Sequence, residues 1–262
     1  MQFSVKITDV FDPSVSPEEM VRRSAKGGAS AVGFRPWYDQ EALERVVQTV
    51  DQLELDLTYL SGGSPDREGP AFPLANPDTA SEGVSDLRRA IDVAERVNCK
   101  YVNVIPGWEN KRLDPAVQHL SIVRSLRQVA DTAADAGVIL AVEPINTAVD
   151  HPGIYLHSSY EGYKIIDAVD SPNVRLLYDI YHQQISEGNI ISNIREHIDL
   201  IGYIHVGDVP GRHEPGTGEI NYPVVFEALG EAGYDGVVGL ECYPKGSPDD
   251  AIRAVAKMLS AD

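Results

Sequence analysis

Four short apolar runs in the second half of the chain each bring one carboxylate or imidazole to their end. VILAV (138–142) stops at Glu143, VRLLY (174–178) at Asp179 and GVVGL (236–240) at Glu241, while YIHV (203–206) contains His205. The separations are 36, 26 and 36 residues. Three carboxylates gathered in one place would repel each other. A divalent cation resolves this by supplying positive charge and taking their lone pairs as ligands. Carboxylate and imidazole ligands without thiolate suit Mn²⁺, Mg²⁺ or Co²⁺ better than structural zinc. One such ion is expected, on Glu143, Asp179, His205 and Glu241, with Asp208 as a competing ligand. Singly, a Glu after an apolar run is an ordinary first loop residue, and a strand His is more often a satisfied core histidine. Four in successive runs favour a shared site.

An ion beside two glutamates can bind the carbonyl and hydroxyl oxygens of an α-hydroxy ketone and polarise them. The carbon-bound hydrogen then becomes acidic. One glutamate removes it to give an enediolate, and a carboxylic acid returns a proton to the neighbouring carbon or to the opposite face. Glu143 and Glu241 are the expected catalytic pair.

These groups need elements that aim them at one point. Four more apolar runs precede them: FSVKI (3–7), AVGF (31–34), LDLTYL (55–60) and YVNVI (101–105). All eight are short and apolar, as expected of strands buried on both faces of a parallel sheet. Helical patterns alternate with them. SPEEMVRRSAKGG has Ser16 as N-cap, Pro17 at the first position and Gly27 near the stop. A second pattern runs from Asp114-Pro115 to Gly137. Strict alternation predicts an α/β fold, a single-domain (β/α)8 TIM barrel over residues 1–262, with the loops after the strands forming the catalytic face. A doubly wound sheet is the weaker alternative, because no GxGxxG follows the first strand.

At the same residues the chain resembles the hydroxypyruvate isomerase family of the xylose-isomerase-like TIM barrel superfamily. The stretches that carry this are EPIN (143–146), YDIYHQQ (178–184), IGYIHVGDVPGRHEPGTGEINY (201–222) and GYDGVVGLECYP (233–244). They cover the C-terminal half densely; in the first half the likeness is one of strand order. The resemblance implies the barrel, the four metal ligands and the glutamate pair named above. It also implies substrate contacts for His182, which matches a histidine of related ketose 3-epimerases, and for Arg212, in a segment that supplies a substrate-binding arginine. A guanidinium there can grip a carboxylate through two hydrogen bonds. Hydroxypyruvate isomerases often carry Gln where this chain has His205, whereas the ketose 3-epimerase branch carries His.

Further expectations attach to the loops. Trp108 is placed as an apolar wall over the substrate. Gly216 and Gly218 let the Arg212 loop turn tightly, and Glu214 and Glu219 orient Arg212 and His213. His151 and His157 read as loop or capping residues, with Ser158 or Ser159 as a helix N-cap. Cys242, next to Glu241, should point away from the barrel interior.

Composition narrows the function classes. The net charge of −18 repels phosphate backbones, so nucleic acid is not an expected partner. No apolar run is long enough to span a bilayer and no signal-peptide pattern opens the chain, which points to no membrane partner and a cytoplasmic location. Lys is scarce among the 22 basic residues, which suits a protein kept soluble in concentrated salt. Two cysteines without CxxC spacing fit a reducing interior. Barrels of this kind often pair, so a homo-oligomer is compatible with the sequence. The leading expectation is a metal-dependent isomerase of a small α-hydroxy-keto acid or sugar, converting hydroxypyruvate to tartronate semialdehyde. A 2-oxo-tetronate isomerase and a ketose 3-epimerase follow. A metal-dependent hydrolase resembling apurinic endonucleases is more distant, and a non-catalytic sugar-binding barrel is the remaining reading.

Overall fold

A computed structural model describes residues 1–69 and 71–260. Among them, eight strands close into a parallel barrel in sequence order: β1 (Gln2–Lys6), β2 (Ala31–Phe34), β3 (Asp56–Leu60), β4 (Tyr101–Val104), β5 (Ile139–Val142), β6 (Val174–Asp179), β7 (Ile201–Val206) and β8 (Val237–Leu240). Every expected run is a strand, within two residues at either end. β1 pairs with β8 through Gln2–Val237 to Val5–Leu240, which closes the ring.

Pleating sorts side chains by twos. Val104, Val142, Leu176, Ile204 and Leu240 point outward into the large cluster shared with the helices. Their neighbours Tyr101, Ala141, Leu177, Tyr203 and Val237, with Tyr59, fill a separate cluster inside the barrel. Each fully buried aliphatic side chain contributes about 1.5–3 kcal/mol, so the strand ends are firmly held. The same alternation turns Lys6, Asn103, Glu143, Asp179, His205 and Glu241 inward, above the tyrosine layer. Cys242 is buried on the outer side, as its parity requires.

The helices stop and start where the sequence signals lie. Ser16 Oγ accepts from Glu19 N ahead of helix Pro17–Lys26, and Asp114 accepts from Ala116 N ahead of helix Pro115–Asp135. Helix Ser159–Val169 departs from expectation. Ser158 holds the N-cap position but does not cap with its side chain. Glu187 does so instead, accepting from Ser159 N at 2.8 Å and from Ser158 Oγ at 3.2 Å. β6 is followed by two helices, Ile180–Ser186 and Ile190–His197, where simple alternation anticipates one. No described helix is long and apolar enough to cross a membrane.

Candidate metal centre and catalytic cavity

Glu143, Asp179, His205 and Glu241 converge at the C-terminal end of the barrel. All four are buried, and one ligand atom from each lies within 4.8 Å of the others. Octahedral bonds of about 2.1 Å place opposite ligands about 4.2 Å apart, close to this span. Register explains the convergence. Asp179 and His205 are directly paired across β6 and β7, and His205 faces Gly239 on β8. A Cβ on Gly239 would stand 2.9 Å from the His205 ring and 2.8 Å from Tyr203, so only glycine leaves room there. Tyr59 and Tyr203 flank the imidazole with ring centroids 4.9 and 5.2 Å away.

The ligand atoms crowd together without forming aligned hydrogen bonds to one another. His205 Nδ1 is 2.7 Å from Glu241 Oε2 and 3.6 Å from Glu143 Oε1. Yet neither ring nitrogen of His205, nor Glu241 Oε2, is aligned for a hydrogen bond. Buried polar atoms without partners are costly, and this set suits a divalent cation. The other ligand oxygens are held from behind. Glu143 Oε2 accepts from Asn103 Nδ2 at 2.8 Å. Glu241 Oε1 accepts from Lys6 Nζ at 2.7 Å and lies 2.9 Å from Arg212 Nη2. Asp179 Oδ2 accepts from Arg212 Nη2 at 2.6 Å, while its Oδ1 takes the backbone N–H of His182 at 3.2 Å.

Charge states follow from these contacts. Burial opposes ionisation of Glu241, but Arg212, Lys6 and His205 together hold its carboxyl well below the usual range. Burial pushes Asp179 up to about 6 against the pull of Arg212. Burial also disfavours the His205 cation, yet Glu241 and Glu143 outweigh it and raise the imidazole to about 9. His182 stays neutral, because burial and the Arg212 charge lower it well below its ordinary value. Its Nδ1 accepts from the Asn146 backbone and side-chain amides at 3.3 and 2.7 Å, which leaves the proton on Nε2.

Glu143 and Glu241 line a cavity of about 360 Å³, whose walls include Lys6, Arg35, His151, His182, Arg212 and Tyr243. Arg212 is buried, stacks on Tyr181 with its guanidinium 4.9 Å from the ring centroid, and takes a left-handed φ of 53°. Trp108 stands one row back. It is 48% exposed and lines an adjoining cavity. It backs Gly69, whose added Cβ would meet Trp108 at 3.6 Å, and Gly69 lines the catalytic cavity.

Asp208 is not a competing ligand. Its carboxylate accepts five backbone N–H groups, from Val209, Gly216, Thr217, Gly218 and Ile220, at 2.8–3.1 Å. It ties together the loop that presents Arg212. A Cβ on Gly218 would strike Val209 O at 2.1 Å, so this glycine is needed for close approach. Glu214 and Glu219 do not orient Arg212; they bind Lys245 N and Gln184 Nε2. His151, read as a loop residue, lines the cavity with its ring 5.8 Å from His182. Lys6, Asn103 and Asp9 join the site without a sequence expectation, while Arg35, expected with Phe34 and Trp37 to cover the site after β2, lines the cavity as a charged group. The available signal was a polar residue inside an apolar run, at the phase that faces the barrel interior: Lys6 in FSVKI and Asn103 in YVNVI.

Comparisons with known proteins agree with this architecture. A family model described as xylose isomerase-like TIM barrel matches residues 21–261. The chain is 32% identical to the hydroxypyruvate isomerase of Escherichia coli (strain K12), over 88% of this chain and 89% of that one. It is 36% identical to a 2-oxo-tetronate isomerase of Cupriavidus necator, over 61% of each. The crystal structure of an AP endonuclease, family 2, from Brucella melitensis superimposes with a TM-score of 0.85 at 26% identity, covering 98% of both chains. The chain belongs to the xylose isomerase-like TIM barrel family.

Proposed function

We propose that the chain is a divalent-metal-dependent isomerase of a small α-hydroxy-keto acid, with hydroxypyruvate as the first substrate and tartronate semialdehyde as its product. The observation that carries this reading is the convergence of two buried glutamates, both lining the cavity, with the buried Asp179 and His205. Likeness to hydroxypyruvate and 2-oxo-tetronate isomerases supports it.

Glu143, Asp179, His205 and Glu241 would hold the ion. When bound, it polarises the vicinal oxygens of the substrate and stabilises the negative charge that develops on them. Glu241, kept anionic by Lys6 and Arg212, suits the base that removes one hydrogen from C3 of hydroxypyruvate. Glu143, with only the neutral Asn103 amide on its outer oxygen, suits the acid that returns a proton to C2 of the enediolate. The hydroxyl proton on O3 is lost and one is gained on O2, so the product is an isomer. His182 Nε2–H donates to a substrate oxygen as a neutral group, and the free donors of Arg212 stabilise the enediolate. Trp108 steadies the Gly69 loop at the mouth.

The test is exchange of carbon-bound hydrogen with D₂O, followed by NMR, on hydroxypyruvate with Mn²⁺, Mg²⁺ or Co²⁺. Exchange at C3 that chelator abolishes supports the isomerase. No exchange with any of the three ions sinks it. His205 favours comparison with a 2-oxo-tetronate and with a ketose carried through the same assay. The metal-to-protein ratio addresses a hydrolase: three bound ions would favour it.

A further inference from the structure

Arg212 binds the metal-ligand carboxylates Asp179 and Glu241 through Nη2, and its Nε is buried without a partner. The cavity holds another guanidinium that is set up differently. Arg35 follows β2, and its Nε and Nη2 engage Asp9 at 3.1 and 2.8 Å. Asp9 is buried and also faces Lys6 at 3.4 Å, whose ammonium reaches Glu241. A chain of alternating charge thus runs from Glu241 on the floor through Lys6 and Asp9 to Arg35. The loop carrying Arg35 is anchored as well: Trp37 N donates to Ser61 O at 2.8 Å, and Trp37 Nε1 to Gly63 O at 2.9 Å.

The Arg35 side chain is 43% exposed, and among the described residues its Nη1 makes no hydrogen bond. One edge is locked by Asp9 and the other opens to the cavity. A guanidinium fixed in this way loses little freedom on gripping a carboxylate. Charge balance points the same way. With His205 neutral, as a ligand must be, and the carboxyls ionised, Lys6, Arg35 and Arg212 face Asp9, Glu143, Asp179 and Glu241, one negative charge in excess. A doubly charged ion in the quartet reverses this to one net positive charge, which matches a mono-anionic substrate.

We propose that Arg35, held by Asp9, anchors the substrate carboxylate at the cavity mouth and selects short hydroxy-keto acids over neutral sugars. This inference rests on the isomerase reading for its substrate, but its test does not require turnover. The probe is glycerate, the reduced and unreactive counterpart of hydroxypyruvate, with glycerol as its neutral partner. Binding of each is measured by calorimetry to Mn²⁺-loaded wild type, Arg35→Ala and Arg35→Lys. Arg35→Ala is expected to weaken glycerate at least roughly tenfold and leave glycerol unchanged, with Arg35→Lys in between. In turnover the loss should fall on KM for hydroxypyruvate and spare kcat. Glycerate affinity within about twofold of wild type in Arg35→Ala overturns the anchor, as does a wild type that binds glycerate no better than glycerol. Arg35-dependent glycerate binding with no hydrogen exchange from hydroxypyruvate would overturn the isomerase reading and leave the anchor standing.

Discussion

His205 Nδ1 stands 2.7 Å from Glu241 Oε2, and the two atoms are not aligned as a hydrogen bond. Glu143 and Asp179 each bring a carboxylate oxygen to the same place, all four ligand atoms lying within 4.8 Å of one another. A hydrogen-bonded pair would have aligned donor with acceptor. The arrangement predicts one Mn²⁺ per chain. At a hundredfold excess over Kd the ion should stabilise the fold by about 2.7 kcal/mol, read as a rise in Tm that chelator reverses. His205→Ala should lose most of that rise. A Tm indifferent to Mn²⁺, Mg²⁺ and Co²⁺ would remove the metal centre.

Metal binding should release protons. His205 has its folded pKa raised to about 9, so the stabilisation it gains from Glu241 and Glu143 is complete below its unfolded value and is lost as pH rises through about 9. At neutral pH the empty site therefore carries an imidazolium, which must deprotonate to ligate. Mn²⁺ affinity should climb about tenfold per pH unit between roughly 7 and 9, then flatten. Below about 6 the slope should steepen, because Asp179 is then protonated as well. Calorimetry in buffers of different ionisation enthalpy reads the released proton directly. A flat affinity from pH 6 to 9 would contradict the charge state of His205.

Much of this is legible in the sequence. The strands stand out because each is apolar on both faces, and the quartet stands out because each member falls one βα unit from the next. Lys6 was hidden by its surroundings. One Lys near the N-terminus looks like a surface residue until β1 closes on β8 and brings it to Glu241, 235 positions away. Arg35 and Asp9 are similarly separate in sequence, and only the packing of the loop after β2 against the end of β1 joins them. Asp208 misled because its distance from His205 suits a ligand. Its five N–H partners belong to a loop whose path the sequence pattern does not specify.

The two glutamates should differ when changed. Glu241→Gln should lower C3 hydrogen exchange by about 10²–10⁴-fold, whereas Glu143→Gln should lower formation of tartronate semialdehyde by a similar factor, with metal content measured alongside. Only Glu241→Gln strips a buried ammonium and a buried guanidinium of an anionic partner. Its stability cost should be about 3 kcal/mol, and that of Glu143→Gln smaller, since the outer oxygen of Glu143 meets only an amide and its inner oxygen lies 3.6 Å from His205. Urea unfolding of both apo variants separates the two. Equal costs would show that Lys6 and Arg212 do not depend on Glu241.

Asp208 offers a change that reaches the cavity without touching it. Its Oδ2 accepts from Gly216, Thr217 and Gly218, and its Oδ1 from Val209 and Ile220. In Asp208→Asn one oxygen becomes an NH₂ that faces backbone donors, so at least two N–H groups lose their acceptor. A fully buried donor left unsatisfied costs about 1–3 kcal/mol; only the Ile220 bond is buried and the other four are part-buried, so a total of about 1–3 kcal/mol is expected. The loop from 209 to 220 carries Arg212 in its left-handed conformation, so loosening it should displace the guanidinium from Asp179 and Glu241. Hydrogen exchange in hydroxypyruvate should therefore fall, while Mn²⁺ still binds through the four ligands. Gly218→Ala should reproduce the effect from the other side of the same contact, since its Cβ would meet Asp208 Oδ1 at 2.5 Å. Wild-type urea stability and wild-type exchange in both variants would show that the carboxylate does not organise this loop.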